Sequence, residues 1–279
     1  MHASRPAIAQ RIACRAYSSL QGFQPVPTLP NLDIETFREH AFEPALPAIL
    51  PRGCFGDIPA IERWFARRAH GLGLNAPYLA QYSSTIVPLE ISSEDDFARV
   101  EQSLGFFLEA SDLPTSSSRI YLAQATIAGL AEGLRKDVPT PDLVLKAGKG
   151  DVYDSSIWLG RAPTYTPLHR DPNPNLFVQL AGSKRVRLFK SSVGQGIFAR
   201  VQERIGGHAS ATMRGEEMMH GVEKRELERE VWDDEVEDGS RAVGLEAELN
   251  AGDGLFIPKG WWHSIKGVGE GMTGSVWTI

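Results

Sequence analysis

The chain has 279 residues, of which 42% are hydrophobic and 23% are charged, and this composition excludes collagen-like, disordered and multi-span membrane proteins. No uncharged apolar run approaches the roughly 20 residues that a membrane-spanning helix needs. The formal net charge of −6 does not favour a nucleic-acid partner, because such partners attract basic surfaces.

The start of the chain differs from the rest. No acidic residue precedes Asp33, and three arginines stand among alanines, serines and short apolar side chains: Arg5, Arg11 and Arg15. This pattern resembles a mitochondrial presequence, although an ordinary tail without acidic residues would look similar. We therefore expect residues 1–30 to comprise a presequence and a Pro-rich linker, and the protein to lie in the mitochondrial matrix rather than in the cytoplasm or nucleus.

The next region, residues 31–150, is expected to form a helical N-terminal part of the fold. Apolar spacing and the positions of prolines predict helices in four segments, at 34–41, 58–69, 94–109 and 121–134. One short strand is predicted at 84–91.

The last region, residues 151–279, has a different pattern. Short segments rich in β-branched and aromatic residues alternate with Gly-containing turns. The predicted strands lie at 156–159, 176–181, 184–190, 244–249, 255–257, 262–266 and 272–279. Such a series indicates a small antiparallel barrel or sandwich, with the helical region packed against it. The predicted fold class is α+β.

An acidic block falls between these strands. Residues 216–238 contain eleven acidic and three basic residues, a net charge of 3 − 11 = −8. We interpret residues 194–242, approximately, as a helical and solvated insertion. Such a block could attract a basic protein partner, but a run of charges is usually a solvated face.

The sharpest local pattern is the hexapeptide TPLHRD, residues 166–171. In an extended segment, residues i and i+2 point to the same side, so His169 and Asp171 would face one spot. His263 follows a turn and a short apolar strand that would bring its imidazole back across the barrel. Two histidines and one carboxylate on one face of an octahedral ion form the facial triad of non-haem Fe(II) oxygenases.

A lysine adds to this pattern. Lys184 lies on the strand that returns from the Gly182-Ser183 turn, and its ammonium could point into the barrel. A buried charge needs a partner, and the distal carboxylate of a dicarboxylic co-substrate would supply one. The alternative is a strand lysine that faces solvent, which is the usual place for this residue type.

Two stretches of the sequence resemble a known family. They are SSIWLGRAPTYTPLHRDPNPNLFVQLAGSKRVRLFK and LEAELNAGDGLFIPKGWWHSI. They are similar to the JmjC, or cupin-like, Fe(II)- and 2-oxoglutarate-dependent oxygenases, most of all to the small hydroxylase branch that includes the asparaginyl hydroxylase of hypoxia-inducible factor. The strong resemblance spans residues 155–190 and 244–279. It implies a double-stranded β-helix core, also called a jelly-roll or cupin barrel.

The resemblance also implies ligands for iron and for the co-substrate. His169, Asp171 and His263 would bind Fe(II), which reacts with dioxygen. The residues implied for 2-oxoglutarate are Lys184, Thr166 and Tyr121 at the distal carboxylate and Asn175 near the chelating end.

Two positions depart from the hydroxylase pattern. Trp277 stands where the hydroxylase has a second asparagine on the last strand, and this bears on the geometry of co-substrate binding. Ala123 stands where a substrate-contacting glutamine is found, and this bears on any shared substrate. The sequence ends at Ile279 without the C-terminal helices through which some members dimerise, so we expect a monomer.

The leading functional hypothesis is hydroxylation of a macromolecule, in the first place a protein side chain. One alternative is an N-methyl-lysine demethylase, which uses the same iron chemistry on a methyl group. The other is a metal-binding cupin that does not use 2-oxoglutarate, or a silent JmjC binding module. An intact triad together with Lys184 argues against a silent scaffold, which would have no physical need for all four residues.

Overall fold

The computed structural model describes residues 22–68, 71–93, 96–113, 119–150, 152–207, 219–233 and 243–278. The predicted presequence, apart from its last residues, lies outside these ranges. The strands are β1 (Gln24–Pro25), β2 (Ala48–Ile49), β3 (Phe65–Arg68), β4 (Gly71–Leu74), β5 (Ile86–Ser92), β6 (Phe97–Ser103), β7 (Arg119–Thr126), β8 (Ser155–Arg161), β9 (Thr164–Arg170), β10 (Asn175–Ala181), β11 (Ser183–Phe189), β12 (Leu245–Asn250), β13 (Gly254–Ile257), β14 (Trp262–Val268) and β15 (Met272–Thr278).

The helices are α1 (Ile34–Phe37), α2 (Pro59–Arg63), α3 (Ala76–Leu79), α4 (Leu104–Asp112), α5 (Glu132–Asp137), α6 (Asp142–Ala147), α7 (Ser191–Ile205) and α8 (Gly221–Trp232). A π-helical turn, Arg38–Phe42, continues α1. In the described part of the chain, no helix is both long enough and apolar enough to cross a membrane.

Strands β8–β15 form a barrel from two sheets. One sheet has the order β2-β13-β10-β15-β8-β7-β5-β6, and the other has the order β1-β12-β11-β14-β9. Apolar side chains from both sheets meet between them, among them Phe177, Leu255, Trp277, Val186, Leu249 and Ile265. The chain crosses between the sheets as a jelly roll does, and helices cover the outer faces. This confirms the predicted α+β class and jelly-roll core.

The outer face of the larger sheet packs against the N-terminal helices. Because side chains alternate along a strand, Asn175 and Phe177 of β10 face the barrel interior, and Leu176, Val178 and Leu180 face outward. These three residues join a large core cluster that includes Phe37 of α1 and Leu143 of α6. The barrel and its N-terminal helices therefore share one continuous core.

Three of the helices predicted in the N-terminal region are partly wrong. The segment 58–69 is helical only in α2 and continues as strand β3, and 94–109 forms β6 before α4 begins. The segment 121–134 starts as β7, which pairs with β5 and β8. Short apolar runs fit either period, and pairing with distant strands overrides local helix propensity. Residues 31–150 are therefore not purely helical, since β5–β7 extend the larger sheet.

Two other predictions in this region are confirmed. The helix predicted at 34–41 corresponds to α1 and its π-helical continuation, and the strand predicted at 84–91 corresponds to β5. The Pro-rich segment predicted as a linker instead belongs to the domain. Its strand β1 pairs in parallel with β12, and Val26 and Leu29 are buried.

The acidic block contributes to the core as well as to the surface. Leu227 and Val231 of α8 are buried with Leu168 and Trp262 on the outer face of the smaller sheet. Several of its acidic side chains form ion pairs. Glu226 lies 3.1 Å from Arg204, and Glu230 lies 2.8 Å from Arg200. Glu228 lies 2.7 Å from Lys266. The prediction of helices is confirmed, but α8 is not a fully solvated insertion.

Candidate active site

Two neighbouring strands of the smaller sheet bring the predicted metal ligands together. His263 of β14 lies directly opposite His169 of β9 in an antiparallel pair, and Asp171 follows the end of β9. One ligand atom from each of the three residues lies within 4.8 Å of the others. The Nε2 atoms of His169 and His263 are 3.7 and 3.6 Å from the two oxygens of Asp171. We call these three residues the triad.

Hydrogen bonds to the backbone orient both imidazoles. The Nδ1 atom of His169 lies 2.9 Å from the carbonyl oxygen of Pro167, and Nδ1 of His263 lies 3.2 Å from that of Trp261. A carbonyl oxygen only accepts, so we assign the proton to Nδ1 in each ring. The lone pair of each Nε2 atom therefore points toward the centre of the triad, as in a metal-binding histidine.

The burial of His263 tests whether the triad fits a metal ion. Its side chain is fully buried, and its Nε2 atom has no hydrogen-bond partner among the described residues. Burial, and then the proximity of His169, lower the pKa of His263 to about 4, which keeps the imidazole neutral. A buried acceptor without a donor is costly, and a cation held by the triad would satisfy it. Two imidazoles and one carboxylate match the ligands of a divalent transition metal.

A β-bulge places Thr166 on the interior face. His263 pairs with His169 and Ile265 pairs with Thr166, so β9 has one more residue than β14 between these pairs. Pro167, which cannot donate a ladder hydrogen bond, lies in the bulge. Without the bulge, strict alternation would place Thr166 and His169 on opposite faces. With it, Thr166 lies opposite Ile265, a residue of the interior cluster.

Lys184 of β11 is a buried cation in the same interior. Its side chain is only 3% exposed, and Nζ donates to Ser275 Oγ at 2.9 Å and to the Tyr121 hydroxyl at 3.4 Å. The ring of Phe177 lies 5.5 Å away. The described neighbours of this ammonium are therefore two hydroxyls and an aromatic ring, and none is an anion. Burial lowers the pKa of Lys184 to about 7.

A glycine on β8 allows Tyr121 to reach Lys184. Tyr121 of β7 pairs with Gly160, and a Cβ atom on Gly160 would lie 2.1 Å from the Tyr121 ring. The ring therefore occupies the space that any other residue would fill. Burial raises the pKa of the Tyr121 hydroxyl, so it stays protonated and available as a donor. Gly160 directly follows the strand predicted at 156–159, and a glycine within a strand often marks such a close approach.

Asn175, the first residue of β10, lies beside the triad. Its Nδ2 atom donates to Asp171 Oδ2 at 3.4 Å, which places the amide next to a predicted metal ligand. Its Oδ1 atom is buried and has no hydrogen-bond partner among the described residues.

Trp277 of β15 occupies the interior next to both imidazoles. Its ring centroid lies 5.6 Å from that of His263 and 6.4 Å from that of His169. It also packs against Trp158 at 4.9 Å and Phe177 at 5.5 Å. The polar contact that an asparagine would make here is replaced by aromatic surface. Ala123, the other departure from the hydroxylase pattern, is buried on β7.

The barrel interior thus contains two groups of polar side chains, one at each end. The triad and Asn175 form one end, and Lys184 with Tyr121 and Ser275 forms the other. Thr166 faces the interior, and its carbonyl oxygen accepts a hydrogen bond from Ser264 Oγ at 2.8 Å. Sequence reasoning missed Ser275 and Gly160. Ser275 could not be found because its contact with Lys184 depends on the arrangement of strands far apart in sequence.

Comparison with known proteins agrees with this architecture. Residues 35–277 match the cupin-like domain family. The chain is 26% identical over 275 residues to lysine-specific demethylase 8 of Xenopus tropicalis, a match that covers 97% of this chain and 56% of that protein. It is 25% identical over 252 residues to lysine-specific demethylase JMJ30 of Arabidopsis thaliana, covering 88% of this chain and 53% of that protein.

A third relative is the Jumonji C domain-containing protein 5 of Drosophila melanogaster, which is 25% identical over 262 residues, covering 90% of this chain and 59% of that protein. The chain thus spans between half and two thirds of the length of these relatives. Because the family match covers most of the chain and the relatives carry the JmjC name, the chain belongs to the cupin-like domain family as a JmjC-type member.

Proposed function

We propose that the protein is an Fe(II)- and 2-oxoglutarate-dependent oxygenase that hydroxylates a protein side chain. The observation that carries this proposal is the pairing of the triad with the buried ammonium of Lys184 inside one barrel. The triad would leave one side of a metal ion open, and Lys184 offers a positive charge beside which the described residues place no anion. A dicarboxylic 2-oxo acid has the two functional groups that match these two ends.

The charges of such a complex would balance. Asp171 carries one negative charge, Lys184 carries one positive charge, and a ferrous ion adds two. The net charge of these three groups is therefore +2, and the two negative charges of 2-oxoglutarate would balance it. Buried charges are tolerated when they are paired in this way. When bound, the iron would activate dioxygen toward a substrate C–H bond while 2-oxoglutarate is converted to succinate and carbon dioxide.

The chain's own residues would supply binding and orientation. Lys184, with the hydroxyls of Tyr121 and Ser275 beside it, would bind the distal carboxylate through charge-assisted hydrogen bonds. Thr166 would contribute from the interior face of β9, and Asn175 would lie near the chelating end. The aromatic rings of Trp277 and Phe177 would exclude water between the two ends.

A second candidate function is N-methyl-lysine demethylation. It is favoured by the names of two relatives, which are lysine-specific demethylases. It requires the same metal and co-substrate chemistry, but the carbon that is hydroxylated is an N-methyl group. This carbon then leaves as formaldehyde, and the lysine amine remains on the protein. Hydroxylation leaves one additional oxygen atom on the substrate, so the two functions differ in a measurable product.

The test compares the wild-type protein with Asp171→Ala. We expect the wild type to convert 2-oxoglutarate to succinate in an oxygen- and Fe(II)-dependent way, and Asp171→Ala to lose this activity. Mass spectrometry of proteins treated with each would then reveal the product. One added oxygen in wild-type samples alone supports hydroxylation, whereas loss of N-methyl groups with formaldehyde release supports demethylation. Absence of 2-oxoglutarate turnover with metal bound would instead support a cupin that does not use this co-substrate.

We also propose a mitochondrial location for the full-length protein. The basis is the acid-free, arginine-containing composition of residues 1–30. A C-terminally tagged protein should co-purify with mitochondria and have a shortened N-terminus. A cytosolic protein with an intact N-terminus would contradict the proposal.

A further inference from the structure

The larger sheet ends in β6, an edge strand that is long and regular. Its seven residues pair with β5 in antiparallel register without a bulge. In the described part of the chain, no strand pairs with the other side of β6. Four of its side chains are exposed: Ala98, Arg99, Glu101 and Gln102. A row of unpaired backbone N–H and C=O groups on an edge strand can accept a strand from another chain.

The other edges of the two barrel sheets are protected against such pairing. Strands β1 and β2 are only two residues long. Strand β9 contains Pro167 and a bulge in its pairing with β14. Short strands, prolines and bulges all hinder an edge from pairing with another chain. Strand β6 contains none of these features and no lysine, so among the described edges of these sheets it is the one left open.

The charges of β6 match a second copy of the same strand. Arg99 and Glu101 are two residues apart, so their side chains lie on one face of the sheet. If two copies of β6 pair antiparallel about a two-fold axis at Val100, Arg99 of each copy lies directly opposite Glu101 of the other, an arrangement that stabilises paired strands. Arg99 also lies opposite Glu90 of its own β5, so it would stand between two carboxylates. Its guanidinium has several N–H donors, and the contact with Gln124 Oε1, 3.3 Å away, uses only one of them.

The same two charges disfavour other ways of pairing two copies of β6. A shift by two residues would place Arg99 opposite Arg99 or Glu101 opposite Glu101, and like charges at opposite positions are destabilising. A shift by one residue would turn the second sheet over and place Val100 opposite a charged residue. Parallel pairing in register would set like charges side by side. The sequence of β6 therefore selects one symmetric register.

We propose that the protein forms a symmetric dimer in which β6 of two copies pair antiparallel about Val100 and join the two larger sheets into one. The contact is isologous, because each copy contributes the same strand. The monomer expected from the sequence rests on missing C-terminal helices, and this dimer uses a different surface. Its existence does not depend on the proposed function. Since the two copies meet mainly through one strand each, the interface is small and the dimer is weak.

Charge reversal on β6 provides the test. Arg99→Glu makes both charged positions of the strand acidic, and Glu101→Arg makes both basic, so either variant alone would place like charges opposite each other in its dimer. A mixture of the two variants restores two opposite-charge pairs between unlike chains. Glu62→Arg, at an exposed position on α2, is a matched control for a charge reversal outside β6.

Sedimentation equilibrium at about 0.2 mM chain, where a weak dimer is still populated, measures the outcome. We expect wild type and Glu62→Arg to dimerise, and each reversal on β6 to raise the dimer Kd at least about tenfold. The equimolar mixture should recover dimers, which native mass spectrometry would identify as one chain of each variant.

Three results would overturn the inference. They are a monomeric wild type at this concentration, reversed variants that dimerise as tightly as wild type, and a mixture of folded variants that stays monomeric. Arg99→Glu places a carboxylate opposite Glu90 of its own copy, so circular dichroism checks that it folds. Glu101→Arg lies opposite the uncharged Pro88 and tests the inference by itself if Arg99→Glu does not fold.

Discussion

The hydroxyl of Tyr121 lies 3.4 Å from Nζ of Lys184. The ring that carries this hydroxyl crosses β8 at Gly160, which is the one residue of that strand without a side chain. The contact joins β7, which extends the larger sheet, to β11 of the smaller sheet. A residue of the N-terminal region thus contributes directly to the polar end of the barrel that we assign to the co-substrate carboxylate.

Replacing Gly160 should therefore weaken co-substrate binding. In Gly160→Ala the new Cβ atom would displace the Tyr121 ring, at a cost of about 1–3 kcal/mol in unfolding free energy. Losing one hydrogen bond to a charged group should raise the Kd for 2-oxoglutarate about tenfold. Calorimetric titration with 2-oxoglutarate of the Co(II)-loaded protein measures this. Gly196→Ala in α7 is a matched control, because the nearest side-chain atom to its Cβ would be 3.7 Å away. Equal affinities for both variants would contradict this role of Gly160.

Stability should depend on pH through Lys184. Burial lowers the pKa of this ammonium from 10.5 to about 7 in the folded protein, so between these values the unfolded chain binds more protons. The destabilising effect is fully present below pH 7 and is relieved as the pH rises toward 10.5. Urea unfolding should show that wild type gains stability relative to Lys184→Met over this window. Parallel pH profiles for the two proteins would mean that Lys184 keeps an ordinary pKa.

Metal binding should stabilise the protein through the triad. A divalent ion that binds only the folded state at 100 times its Kd adds about 2.7 kcal/mol to the unfolding free energy. We expect Co(II) to raise the Tm of wild type and of Asp142→Ala, whose exposed carboxylate pairs with Lys146 on α6. Asp171→Ala should show no such shift. A similar rise in Tm for Asp171→Ala would show that the ion binds elsewhere.

Helix α8 should be needed for stability despite its acidic sequence. Leu227→Ala removes a buried side chain that packs on the smaller sheet and should cost about 2–4 kcal/mol. Val222→Ala, at a position that is 50% exposed on the same helix, should change stability by less than about 0.5 kcal/mol. Denaturant unfolding of both variants gives the comparison. A loss below 1 kcal/mol for Leu227→Ala would restore the interpretation of α8 as a solvated insertion.

The sequence predicted the jelly-roll core, and the three residues that it proposed as metal ligands lie close together in the structure. His169 and Asp171 are two residues apart on an extended segment, so local spacing alone placed them on one side of a strand. The third member, His263, reaches them only through the pairing of β14 with β9. The helix predicted at 121–134 was wrong because β7 is defined by pairing with β5 and β8. The proximity of Ser275 to Lys184 and the side of the sheet that Thr166 faces depend on strand register and on the bulge at Pro167. No local pattern encodes these features.

The measurement that tests the account most directly is an anaerobic titration of the purified protein with Fe(II) and 2-oxoglutarate, followed by visible absorption. We predict a metal-to-ligand charge-transfer band in wild type, its loss in Asp171→Ala, and its appearance only at much higher 2-oxoglutarate concentration in Lys184→Met. Bound iron without such a band in wild type, or a band unaffected by Lys184→Met, would contradict the pairing of the triad with Lys184 as one co-substrate site.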